Sequence, residues 1–219
     1  MKSSAHNFNS KLPKLPESIF TTMSRLSKEY DAINISQGFP NFEPDPVLID
    51  LVTKAMRDGY NQYAPLGGIY PLKEVISEKI SLLYGANYDP QSEITVTVGA
   101  TQAIFTAISA MVWPGDEVIV LKPAYDCYEP AIKANGGIPV LIQLSEKDYA
   151  IDWDEFKSLL SEKTRMVIIN TPHNPTGMVF SSSDMLQLQS CLKDTDIVLL
   201  SDEVYEHKVF DNHSHESAS

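Results

Sequence analysis

The chain has 219 residues, 43% of them apolar, with 14 prolines spread along it, the make-up of a folded globular protein long enough for one large domain or two small ones. Its 29 acidic and 17 basic side chains leave a net charge of -12, which argues against a surface built to neutralise nucleic-acid phosphates or anionic lipid. Met1–Pro16 carry no continuous apolar run and no later stretch reaches the length of a bilayer span, so a cytoplasmic protein is expected. Cys127 and Cys191 lie far apart without metal-type spacing and read as reduced core residues, with no metal site expected.

In chain order, the first part predicts a helix over Glu17–Tyr30, a short extended piece at Ile33–Ile35, and helices over Pro46–Arg57 and Pro71–Tyr84. The loops between them, Asn34-Ile35-Ser36-Gln37-Gly38-Phe39-Pro40 and Asn61-Gln62-Tyr63-Ala64-Pro65-Leu66-Gly67-Gly68, are too polar and turn-prone for core. They read either as connectors or as ligand-facing or subunit-facing loops.

From about residue 90 short β-branched runs alternate with amphipathic stretches, the signature of an α/β fold. Strands are expected at Ile94–Val98, Glu117–Leu121, Ile138–Leu144, Arg165–Asn170 and Ile197–Ser201, short and apolar as buried parallel strands are. Helices are expected at Thr101–Trp113, Asp126–Ala134, Trp153–Lys163 and Ser183–Lys193, carried over both sheet faces by right-handed crossovers.

Ligands of open parallel sheets bind beyond the carboxyl ends of the strands, so the residues that follow each strand carry the chemistry. Gly99-Ala100-Thr101 joins a strand to a helix and aims backbone N–H groups at whatever lies above, an arrangement that suits a phosphate or serves packing alone. It is neither a Walker A loop nor a G-x-G-x-x-G fingerprint. Tyr125 reads as a ring able to lie on an aromatic ligand or as a core tyrosine. Asp202 ends a buried strand, where a carboxylate needs a partner such as a protonated heterocyclic nitrogen, or else caps a helix. Asn174 is able to supply an amide to the same ligand, Tyr205 either joins it on that side or lies in the core, and Thr171-Pro172 and Asn174-Pro175 are bonds able to be cis.

Taken together, Asn34–Pro40, Asn61–Pro65, Tyr125-Asp126-Cys127-Tyr128-Glu129-Pro130, Asn170–Gly177 and Ser201-Asp202-Glu203-Val204-Tyr205-Glu206 resemble the class I and II aminotransferases. The wording is nearest the branch of methionine aminotransferases and kynurenine or glutamine transaminases, and the match runs in order from about Lys14 to the last residue. The resemblance implies a three-layer α-β-α fold with a mostly parallel sheet, truncated: an N-terminal arm and part of a small domain over residues 1–45, and an incomplete large domain over 46–219. It implies pyridoxal phosphate as cofactor, held by Gly99, Ala100 and Thr101 at its phosphate, by Tyr125 on the ring, by Asn174 and Tyr205 at the phenolic oxygen, and by Asp202 at the ring nitrogen. Tyr63 would reach the cofactor phosphate of a neighbouring subunit in a homodimer, and Gly38 and Asn174 would lie beside the substrate.

The activity implied is amino transfer from methionine, glutamine or an aromatic amino acid to a 2-oxo acid, with cysteine-conjugate β-lyase chemistry and a non-catalytic cofactor-binding or dimerisation fragment as alternatives. One departure is plain. The family's cofactor-binding lysine belongs to a Ser-x-x-Lys segment one strand beyond Asp-x-x-Tyr, and the only lysine after Asp202 here is Lys208, beside Tyr205. The strands that follow in the family would fill the middle of the sheet, so two bare edges are expected to face each other. His213 and His215 are expected in a solvated tail.

Overall fold

The computed structural model describes residues 9–38 and 40–219, so the first eight residues and Phe39 of the Asn34–Pro40 segment lie outside the described residues. Three helices come first: α1 (Ile19–Glu29), α2 (Pro46–Arg57) and α3 (Tyr70–Tyr84). α2 begins where Asp45 accepts a hydrogen bond from the Val47 amide at 2.8 Å, with Pro46 in the first turn where its missing N–H costs nothing. α3 stops at Gly85, which takes the left-handed conformation that lets the last turn close. Neither α1 nor α2 buries a residue fully, and Leu48, Ile49, Leu51 and Val52 of α2 are exposed. Ile33–Ile35 is not a strand, and both isoleucines are exposed.

The remainder alternates: α4 (Ala100–Met111), β1 (Glu117–Lys122), α5 (Tyr128–Ala134), β2 (Ile138–Gln143), α6 (Trp153–Ser158), β3 (Thr164–Asn170), α7 (Ser182–Leu192) and β4 (Val198–Asp202). The four strands form one sheet in the order β2-β1-β3-β4, every neighbouring pair parallel. Alternation along the strands splits the core in two. Val118, Val120, Met166 and Ile168 face α4 and α5, meeting Ile104, Ile108 and Ile132. Ile119, Leu121, Val167 and Ile169 face the other way, toward Phe156 of α6 and Leu188 of α7. Each such aliphatic side chain stabilises the fold by roughly 1.5–3 kcal/mol on burial, and the two clusters make the three layers. Among the described residues no helix is long and apolar enough to cross a membrane.

Three local expectations are corrected. The Trp153–Lys163 helix ends at Ser158, because the next residues form the turn into β3: the Ser161 hydroxyl donates to Glu117 Oε2 at 2.6 Å and its amide to Thr164 Oγ1 at 2.9 Å. Ile94–Val98 is not a strand. Among the described residues its one backbone bond to a distant segment runs from the Val96 amide to the Gly67 carbonyl at 3.0 Å, and Val98 is 90% exposed. A strand exists only with a neighbour to satisfy its ladder, and the flank of β4 away from β3 carries none among the described residues. The two edges expected to face each other line one cavity of about 610 Å³, with Ile94 and Thr95 on one side and Leu199 and Ser201 of β4 on the other.

The end of the chain is the third correction: His213 is exposed, as a solvated tail requires, but His215 packs against the protein. His215, its side chain 5% exposed, sets Nε2 2.8 Å from Glu203 Oε2. The Ala218 amide donates to Glu203 Oε1 at 3.0 Å, and Ser217–Ser219 close one end of the cavity beside β4.

Candidate functional site

The carboxyl ends of β3 and β4 and the start of α4 form one site. Registration of β3 against β4 sets Asn170 opposite Asp202, and the Asn170 amide nitrogen donates to the Asp202 carbonyl at 2.8 Å, joined by the Thr171 amide at 3.1 Å. The Asn170 Oδ1 in turn accepts the Asn174 backbone N–H at 2.6 Å. This fixes the Thr171–Gly177 turn, in which the Thr171–Pro172 and Asn174–Pro175 bonds are both cis, as is Lys122–Pro123 after β1. From that turn the Asn174 side-chain amide points at the Tyr205 hydroxyl, 3.5 Å away, the outer limit of a hydrogen bond. The two side chains expected to share one ligand atom therefore do converge.

Asp202 is 9% exposed. Its Oδ1 accepts the Val204 amide at 3.2 Å and its Oδ2 the Tyr128 hydroxyl at 2.7 Å. Among the described residues none of the ion pairs involves Asp202. A buried carboxylate with hydrogen bonds and no cation suits a partner that brings a positive N–H.

Gly99 precedes α4 with φ 85° and ψ 163°, and no side chain caps the helix. Gln102 instead turns back to accept the Val98 amide at 2.6 Å. The first-turn amides of Ala100 and Thr101 have no partner within the helix, so they and the positive end of the helix dipole are presented to solvent. A cavity of about 280 Å³ joins this helix start to the end of β4, lined by Ala100, Ala103 and Ile104 on one side and by Ser201, Asp202 and Val204 on the other.

Tyr125, half-buried, meets Tyr128 edge to face, ring centroids 5.9 Å apart at 75°. Lys208 stays beside Tyr205: its amide donates to the Tyr205 carbonyl at 2.7 Å and its Nζ lies 6.0 Å from the ring centroid. Among the described residues no hydrogen bond joins Gly38 or Tyr63 to the residues at the ends of β3 and β4. The loop of Gly38 is tied to α1 through Ser24, Asn34 and Gln37, and Tyr63 is fully exposed.

Three residues of the site drew no individual role from sequence. Asn170 and His173 stand in the quoted Asn170–Gly177 segment, but only the register of β3 and β4 shows what they hold. The buried His173 sets Nδ1 2.8 Å from Thr176 Oγ1, and burial pushes its pKa down to about 4, so the ring is neutral and structural. Tyr128 is the third. It is three residues beyond Tyr125, a spacing that places both rings on the sheet side of the turn into α5.

Phosphate-directed amides, a carboxylate for a ring N–H and an amide–phenol pair for an anionic oxygen make up a donor set that fits pyridoxal phosphate. The comparison with known families agrees: residues 30–218 match aminotransferase class I and II, and the chain belongs to that pyridoxal-phosphate family. Among curated relatives it is 47% identical to a methionine aminotransferase of Escherichia coli, covering 95% of this chain and 54% of the relative. A probable N-succinyldiaminopimelate aminotransferase of Mycobacterium tuberculosis is 37% identical over 94% of this chain and 52% of its own. Kynurenine–oxoglutarate transaminase 1 of Mus musculus is 38% identical over 88% and 48%. A solved E. coli structure identified with a methionine aminotransferase function superposes with TM-score 0.91 at 45% identity, covering 97% of this chain and 55% of that one. The chain thus spans about half the length of the curated relatives it matches.

Proposed function

We propose that these residues form the cofactor-holding part of an aminotransferase that moves an amino group from methionine, glutamine or an aromatic amino acid to a 2-oxo acid. The observation that carries the reading is Asp202 lining the cavity under the uncapped start of α4, with Asn174 and Tyr205 meeting just beyond the ends of β3 and β4. In this reading the amides of Ala100 and Thr101, freed by the turn at Gly99, bind the cofactor phosphate. Asn174 and Tyr205 hold the phenolic oxygen, Tyr125 lies against the ring, and Asp202 keeps the ring nitrogen protonated. Pyridoxal phosphate, when bound, supplies a sink for the electron pair left on the substrate Cα once its proton is removed. Asp202 makes that sink effective by holding positive charge at the ring nitrogen.

Tyr63, free on the surface, is assigned to the cofactor phosphate of a second subunit in a homodimer, and Gly38 to the substrate side. Residues 46–219 then belong to the large domain, and residues 1–45 to the arm and small domain. No Ser-x-x-Lys segment follows Asp202 in these residues, and Lys208 is held beside Tyr205. Binding is therefore assigned to these 219 residues, and turnover to a polypeptide that also supplies the lysine. Pyridoxal phosphate titrated into the purified chain should bind saturably, with inorganic phosphate competing. D202N and N174A should each weaken binding about tenfold, a loss near 1.4 kcal/mol. Unchanged affinity in both variants, or transamination by the homogeneous 219-residue chain, would overturn the reading.

A further inference from the structure

Tyr128 opens α5 with its side chain 2% exposed, braced edge to face by Tyr125 and packed in the cluster under α4. From there its hydroxyl reaches 74 residues along the chain to Asp202 Oδ2 at 2.7 Å. We propose that Tyr128 is a positioning residue of the aminotransferase site, holding the Asp202 carboxylate aimed at the cofactor's ring nitrogen so that the N–H there keeps its partner. The inference rests on the assignment of Asp202 made above.

A carboxylate losing water at a buried strand end tends to take up a proton, and donors to its oxygens oppose that. Asp202 has two such donors, the Val204 amide on Oδ1 and the Tyr128 phenol on Oδ2. Each oxygen accepts two hydrogen bonds, so one site on each remains for a ring N–H. Tyr128 stays a donor: burial first, and then the charge of Asp202, push its pKa far above the ordinary phenol value. The neighbouring Cys127 thiol is likewise kept neutral, pushed up to about 12 by burial and by Asp202. Neither group competes for the carboxylate as a second anion. Without the phenol, the carboxylate is free to turn out of line with the ring N–H, and the ring loses the partner that holds its charge.

The test is the ¹⁵N resonance of ring-labelled pyridoxal phosphate bound to the full chain, which reports whether the ring nitrogen carries a proton. In the unaltered chain the nitrogen should be protonated, in D202N unprotonated, and in Y128F shifted most of the way toward the D202N value, with cofactor affinity reduced severalfold. If Y128F fails to fold, Tyr128→Met keeps a flexible apolar side chain there without a donor and should give the same shift. A Y128F or Tyr128→Met resonance equal to that of the unaltered chain, with D202N unprotonated, would overturn the role of Tyr128 and leave Asp202 in place. An unprotonated nitrogen in the unaltered chain would instead overturn the assignment of Asp202, and this inference with it.

Discussion

Replacing Gly99 by alanine isolates the contribution of one backbone conformation to the phosphate end of the site. Gly99 sits at φ 85°, ψ 163°, a region that only glycine occupies without strain. A Cβ built there meets nothing within 4 Å, so crowding contributes nothing and the whole cost is backbone strain. That cost is of order 1–3 kcal/mol. It can emerge in two ways. If the turn holds its shape, the stability of the folded chain in urea falls by that amount. If the turn relaxes to negative φ, the start of α4 rotates away and pyridoxal phosphate affinity falls about tenfold, equivalent to 1.4 kcal/mol. Gly67→Ala is the control, since Gly67 has an ordinary φ and nothing within 4 Å of its Cβ, and its effect should stay within about 0.5 kcal/mol. A Gly99→Ala chain matching the unaltered one in both urea stability and cofactor affinity would refute the reasoning.

Two further outcomes are expected. Gly137→Ala would place a Cβ 2.7 Å from Val112 Cγ1 and 2.9 Å from Ile132 Cγ2, between α4 and α5, and should cost about 1–3 kcal/mol in urea unfolding through overpacking. His173 gives a pH dependence with a definite sign: burial holds its pKa at about 4 against an ordinary 6.5, so between those values the unfolded chain takes up a proton that the folded chain refuses. Stability should therefore fall as pH drops from about 6.5 to about 4, by on the order of 3 kcal/mol from this group. His173→Gln should flatten that part of a melting-temperature profile, and an unchanged slope would count against it.

The parts of the fold readable in the sequence were those set by local chemistry. β1 to β4 declare themselves as β-branched runs, and the starts of α2 and α7 follow from Asp45-Pro46 and from Ser181 capped reciprocally by Asp184. The same holds for where Asp202, Asn174 and Tyr205 lie, at or just beyond the carboxyl ends of β4 and β3. What was hidden depends on distant neighbours. Ile94–Val98 has the composition of a strand, but strand formation is a property of a pair, and among the described residues its one backbone bond to a distant segment is with Gly67. The role of Tyr128 depends on α5 lying against the end of β4, which no local pattern specifies. The packing of His215 against Glu203 is invisible for the same reason: a polar, serine-rich end gives no sign of the distant carboxylate it meets.

The central claim is a place: pyridoxal phosphate lies with its phosphate on the first turn of α4 and its ring nitrogen at Asp202. A crystal structure of a polypeptide containing these residues, grown with the cofactor, measures that place directly. Phosphate oxygens within hydrogen-bond distance of the Ala100 and Thr101 amides, with the ring nitrogen on the Asp202 carboxylate, is the result expected. Cofactor density seated elsewhere, with Asp202 left bonded only to Tyr128 and Val204, would contradict it.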